Sequence, residues 1–285
     1  MRYYFMRFPE GKTKAVTFSY DDGCRYDLRL CEIFNKYGLK CTFNINSERV
    51  GCDDWHLNKE EIAEKLMGTG HEIAIHGAEH KASGAISLAD GIREVLDGRL
   101  GLERQFGGII KGMAYPNSGI RIFDNGATYN DVKSYLVQLD IAYARSLDAD
   151  NGNFRMPDDW HNWIPTAHHD NPNLFGWIDK FLECDINSLG LASRRPQLLY
   201  IWGHSFEFDR KNNWERIEEI CQKLSGKEDT WYATNIEVYD YIAAYKQLQF
   251  STDGSKVYNP TAVTLYFEYA GVSYCVAPGE LLKLF

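Results

Sequence analysis

The chain has 285 residues, 44% hydrophobic and 25% charged, enough to bury a large core as one big α/β domain or two small ones. No run approaches the roughly 18 apolar residues of a bilayer span. With 31 Lys+Arg against 40 Asp+Glu, a net charge of −9 and no basic cluster, it is a poor candidate for nucleic acid or anionic lipid.

Met1–Pro9 lacks the apolar core and small-residue cleavage site of a secretory signal. Seven cysteines, an odd number without a Cys-x-x-Cys pair, argue for reduced thiols. Together these lead us to expect a cytoplasmic protein.

In chain order, the run 15–20 reads as a buried strand ending in Asp21-Asp22-Gly23. Residues 27–37 carry apolar side chains at helical spacing before Gly38. A strand at 41–45 follows, then a helix from Asn58 to Met67 with Glu61 completing a capping box. Strand 72–75 and helix 87–106 come next. The alternation continues with strand 112–115, helix 130–138 and strand 141–145. After a loop-rich stretch, 148–173, come helix 174–184, strand 197–202, helix 213–224, strand 230–233 and helix 236–248. About seven strand–helix units predict an α/β fold, a distorted parallel barrel over residues 1–249. Short strands near 257–258, 262–267 and 272–276 predict a small β appendage over 250–285, too short to fold alone.

In such a barrel the chemistry sits at the C-terminal ends of the strands. Asp21 and Asp22 follow the first strand, His76 to His80 the third, Tyr115-Pro116-Asn117 the fourth, Arg145 the fifth, and Gly203-His204 the one ending in Trp202. Carboxylates and imidazoles thus gather at one end. Two imidazoles four residues apart plus a carboxylate suit a divalent metal with a position left open for water. Taken alone, an Asp-Asp-Gly is a turn and a His-x-x-x-His a pair of ordinary histidines; their order at strand ends is what points to a metal hydrolase.

The chain resembles the polysaccharide deacetylases of carbohydrate esterase family 4, with the NodB-homology fold, over about residues 14–248. Ser19-Tyr20-Asp21-Asp22-Gly23 is similar to the family's Thr-Phe-Asp-Asp-Gly, and His76-Gly77-Ala78-Glu79-His80 to its His-Ser/Thr-x-x-His. Trp202-Gly203-His204 is similar to its fifth motif, while Ala114-Tyr115-Pro116-Asn117 keeps only the proline of Arg-x-Pro-Tyr. The resemblance implies that Asp22, His76 and His80 hold the metal, zinc first, with cobalt, nickel or manganese also accepted by such a set. It implies Asp21 as the base for the attacking water, the Asn117 backbone N–H as an oxyanion donor, and His204 as the acid that protonates the leaving amine.

Two departures stand out. The motif-three Arg is Ala114 here, and Arg145 at the end of the next strand is expected to supply the missing charge. The fourth motif has Asp158-Asp159-Trp160 as its nearest counterpart. Tyr115, Trp160, Trp163 and Trp202 are expected to line the substrate groove. His168-His169 reads as a solvated loop pair, Glu207 and Asp209 as orienters of His204 or surface acids, and Cys24 as no nucleophile. The expected activity is removal of an N-acetyl group from a sugar, oligosaccharide or polysaccharide. A related amidohydrolase acting on a small amide or cyclic ureide, and a non-catalytic carbohydrate-binding relative, are the alternatives.

Overall fold

Every residue of β2 (Lys14–Asp21) is buried, as expected of a strand paired on both edges and covered on both faces. The computed structural model describes residues 3–148 and 150–285; Met1, Arg2 and Ala149, which the readings of the N-terminus and of the 148–173 loop include, lie outside the described residues. Around β2 the chain builds a curled, half-closed sheet from β3 (Thr42–Ile45), β4 (Glu72–Ile75), β5 (Gly112–Ala114), β6 (Tyr143–Arg145), β7 (Ala167–His168) and β8 (Gln197–Gly203). Their order is β6-β5-β4-β3-β2-β8-β7, all parallel. One edge of β2 pairs with β8 from Lys14 to Tyr20. Its other edge is divided between β9 (Thr230–Tyr232) at the start and β3 at the end. The gap between β6 and β8 is crossed by one segment: Trp163 bridges to Arg145, and Ala167–His168 pair with Ile201–Trp202.

Helices return the chain between strands, as parallel pairing demands. These are α1 (Tyr26–Lys36), α2 (Leu88–Phe106), α3 (Tyr129–Gln138), α4 (Leu174–Glu183), α5 (Ser205–Arg210), α6 (Trp214–Leu224) and α7 (Asn235–Tyr245), with a short helical stretch over residues 59–69 between α1 and β4. Asn58 and Glu61 form the expected box, and Ser87 accepts from the Asp90 N–H at the start of α2. Phe18, Phe34 and Phe43 are fully buried between sheet and helices, each worth about 2–3 kcal/mol.

Beyond α7 come β10 (Gln249–Phe250), β11 (Lys256–Tyr258), β12 (Leu265–Tyr269), β13 (Val272–Val276) and β14 (Leu281–Lys283). They form two small antiparallel sheets, β10-β11-β14 and β1-β12-β13, where β1 is Tyr4–Arg7. The opening strand therefore lies with the C-terminal strands, on the far side of the 249/250 division read from the sequence. Arg7 and Glu268 lock this contact with a buried ion pair at 2.6 Å.

Candidate active site

The ends of β2, β4, β6 and β8 bring Asp21, Asp22, His76, Arg145 and His204 together. Asp22 Oδ1 lies 3.6 Å from His76 Nε2 and 3.3 Å from His80 Nε2. His76 is buried, and its Nδ1 lies 3.0 Å from the Ala114 carbonyl. A carbonyl only accepts, so Nδ1 carries the proton and the Nε2 lone pair faces two carboxylates, Asp22 and, at 3.9 Å, Asp21. Burial lowers the pKa of His76, against the pull of Asp21 and Asp22, which keeps the ring neutral. A lone pair aimed at carboxylates calls for a cation between them, and the donor set of one carboxylate and two imidazoles suits a divalent metal. Burial pushes Asp22 upward, but His80, His76 and His204 outweigh it and hold the carboxyl well below its usual range.

Backbone strain shapes this corner. Asp22, His80 and Asn117 have φ of 82°, 73° and 51°, the left-handed region that costs non-glycine residues of order 1–2 kcal/mol. The His76–His80 loop is held in that shape by Glu94 of α2, whose Oε1 accepts the N–H groups of Glu79 and Lys81, both at 2.9 Å. Gly77 is needed there: its φ is +77°, and a Cβ would sit 2.4 Å from that same oxygen. The Asn117 side chain donates to the His80 carbonyl at 3.1 Å.

Asp21 turns the other way. Its Oδ2 accepts from Arg145 Nη2 at 2.5 Å and its Oδ1 from Asn44 Nδ2 at 2.8 Å. Arg145 and Asp21 are 1% and 2% exposed, so this is a buried pair and not a surface salt bridge. Ala114 and Arg145 are register partners on β5 and β6. The guanidinium thus enters from the neighbouring strand, stacked over Trp202 with its Cζ 4.6 Å from the ring centre.

His204 precedes α5, its Nε2 3.9 Å from Asp21 and 4.0 Å from Asp22, its Nδ1 3.7 Å from Glu207 Oε2. Burial works to lower its pKa, but Glu207, Asp21 and Asp22 raise it above the ordinary imidazole value. That favours a protonated ring. Asp159 accepts from Tyr129 and Lys133 of α3, and Glu207 is the carboxylate on the Nδ1 side of His204.

The aromatic residues divide. Trp202 lies in the site, 5.8 Å from His204. Trp163 is 1% exposed and packs against Tyr143, Trp160 and Tyr200. Trp160 rests on Tyr239 and Trp163. Tyr115 is buried and donates to the His161 carbonyl. Two aromatics the sequence reading passed over continue from His204: Phe206, 5.1 Å from it, and Trp55, 5.8 Å from Phe206. Phe206 sits two positions after His204, a signal available in the sequence; Trp55 comes from a distant loop and has none. His168 is half-buried and His169 fully buried, not the solvated pair expected.

Residues 9–138 match the family model of polysaccharide deacetylase. No curated protein is significantly similar to the chain. Among solved structures, a probable polysaccharide deacetylase from Pseudomonas aeruginosa PAO1 superposes with a TM-score of 0.57 at 14% identity, over 82% of this chain and 92% of that one. The Puue allantoinase gives 0.56 at 12%, over 82% and 91%. The deacetylase PplD of Streptococcus pyogenes is matched over 54% of its own chain and 45% of this one, at 17% identity and a TM-score of 0.40. At these identities the first two superpositions show a shared fold. The family match and an intact metal-binding cluster support hydrolase chemistry. Over residues 9–138 the chain matches the polysaccharide deacetylase family model, and its fold and metal-binding cluster are consistent with metal-dependent amide hydrolysis.

Proposed function

We propose that this protein removes the acetyl group from an N-acetylated sugar or oligosaccharide, with zinc as the native ion and cobalt, nickel or manganese as substitutes. The observation that carries the reading is the convergence of Asp21 and His204 on the Asp22–His76–His80 cluster, with His204 Nε2 3.9 Å from Asp21 and 4.0 Å from Asp22. Asp22, His76 and His80 would hold the ion, which when bound supplies an electrophile for the acetamide carbonyl and a more acidic water. Asp21, fixed by Arg145 and Asn44, takes the proton of the attacking water at Oδ2. The Asn117 backbone N–H serves the developing oxyanion. His204 delivers a proton from Nε2 to the departing nitrogen, which leaves poorly as an amide anion.

The nitrogen carries the sugar, so the sugar lies on the His204 side. Trp202, Phe206 and Trp55 flank that side, and faces of this kind suit pyranose rings. Seven unpaired cysteines support a reducing, cytoplasmic setting and a soluble substrate of modest size. No described helix is long and apolar enough to cross a membrane.

The test is acetate release by the zinc-loaded protein from N-acetylglucosamine and its short oligomers, run beside ring opening of a cyclic ureide. Acetate release that disappears on chelation supports the reading. Ureide opening without acetate release overturns it, and so does binding of sugar with no turnover of either.

A further inference from the structure

A second group of metal-ligating side chains lies on the other side of His204 from Asp22. His168, His169, Asp170 and Glu207 each present one donor atom, all within 4.8 Å of one another. His169 is fully buried, and neither of its ring nitrogens makes a hydrogen bond; nor does Glu207 Oε2. Yet these atoms are close: His169 Nε2 is 3.2 Å from Glu207 Oε2 and 3.4 Å from Asp170 Oδ2.

Donor atoms this close, with the His169 nitrogens and Glu207 Oε2 unpaired, are spaced to share one ion. A tetrahedral ion with bonds of about 2.0–2.1 Å has ligand–ligand edges of about 3.3–3.4 Å. The Asp22–His76–His80 triad shows the same signature, with edges of 3.3 and 3.6 Å. The imidazole of His169 is fixed in place, stacked on Tyr20 at 5.7 Å and on Phe208 at 4.2 Å. Gly203 makes the room, because a Cβ there would meet His169 Nδ1 at 1.9 Å. A buried ring, locked by packing with an unpaired Nε2 within 3.4 Å of two carboxylates, is a built site.

We infer that His169 Nε2, Asp170 Oδ2 and Glu207 Oε2 form a second divalent-cation site. His168 stands beside it as a support: its Nδ1 accepts the Asp170 N–H at 3.2 Å, so its Nε2 keeps a proton and faces Glu207 at 3.1 Å. Lys211 contacts Asp170 Oδ2 and Arg216 lies 3.7 Å from Oδ1. The Lys211 side chain is half exposed, so its ammonium has solvent to turn to when the ion takes that oxygen. One nitrogen and two oxygens suit zinc, cobalt or manganese. Glu207 Oε2 is also 3.7 Å from His204 Nδ1, so an ion here fixes the carboxylate that orients the His204 ring. The site does not depend on what the neighbouring centre hydrolyses.

The test is metal stoichiometry. Apo protein is titrated with zinc alone against a chromophoric chelator, and the bound metal is counted by elemental analysis after gel filtration. The expected result is two equivalents for the native chain, one for Glu207→Gln, one for Asp22→Asn and none for the double variant. Cobalt loaded into Asp22→Asn should give visible d–d absorption that Glu207→Gln in the same background removes. Asp170→Asn and His169→Ala should also bind one equivalent; circular dichroism verifies folding, and Glu207→Gln, on a half-buried side chain, decides if His169→Ala does not fold. A single equivalent in the native chain overturns the inference, as do two equivalents in Glu207→Gln. Loss of the second equivalent in Cys52→Ser also overturns it, because that would assign the ion to the exposed Cys52–Asp53–His56 group.

Discussion

Arg145→Ala is the most informative perturbation of the reaction centre. Arg145 and Asp21 are 1% and 2% exposed and joined at 2.5 Å. Removing one member of a buried pair typically costs about 3–5 kcal/mol, because the other charge is left uncompensated. Asp21 would keep only the Asn44 bond at 2.8 Å. Loss of a charge-assisted hydrogen bond, worth about 1.5–3 kcal/mol, predicts roughly a 10- to 100-fold fall in kcat/KM if Asp21 must be held in one pose, at 1.36 kcal/mol per decade. Ala114 and Arg145 are register partners on adjacent strands. An Ala114→Arg/Arg145→Ala double variant therefore returns the guanidinium from the neighbouring position and should recover about tenfold over the single variant. Acetate-release kinetics and thermal unfolding together read both effects. If Arg145→Ala unfolds at a lower temperature but keeps kcat/KM within threefold, the pair is structural and its role in positioning the base is refuted. A double variant no better than the single one refutes the positional equivalence.

Asp21→Asn should retain zinc with near-native affinity yet lose nearly all turnover, whereas His76→Ala should lose zinc as well; equal metal loss in the two would mean that base and ligand are reversed. Glu94→Ala leaves the Glu79 and Lys81 N–H groups unpaired at about 1–3 kcal/mol each. It should weaken zinc binding at least tenfold by chelator competition, with Glu94→Gln affected less; an unchanged affinity would show that the loop holds its shape without it. His71 is buried, its Nδ1 accepting the Cys41 N–H and its Nε2 meeting Asn35 Oδ1, and burial lowers its pKa to about 4. The unfolded chain, with an ordinary value near 6.5, binds more protons between those limits, so stability falls as pH drops from about 6.5 to 4, by up to about 3 kcal/mol from this residue. His71→Gln should flatten the denaturant-midpoint profile in that window, and parallel profiles for the two proteins would contradict the assignment.

How much of this was legible beforehand depends on the range of the interaction. Periodicity, caps and terminating glycines are local, so β2, α1, α2 and the Asn58–Glu61 box could be read from neighbouring residues. So could the meeting of Asp22, His76 and His80, since residues at strand ends share one end of the sheet once the strands are parallel. The tryptophans were not legible. Trp160, Trp163 and Trp202 are chemically alike, and only the curl of the sheet sends Trp163 into the core and leaves Trp202 beneath Arg145. Asp159, in the string nearest to the fourth motif, is held by Tyr129 and Lys133 of α3, while Glu207 reaches His204 from the first turn of α5.

By itself, then, the sequence determined the alternation of strands and helices and the gathering of carboxylates and imidazoles at strand ends, because both follow from backbone periodicity and short spacings. Only the tertiary structure decided the pairing of β1 with β12, the entry of Arg145 beside Asp21 from the next strand, and the meeting of His169 with Glu207. Those contacts join residues 38 to 265 positions apart, and their partners are chosen by register and sheet closure, which no local pattern encodes.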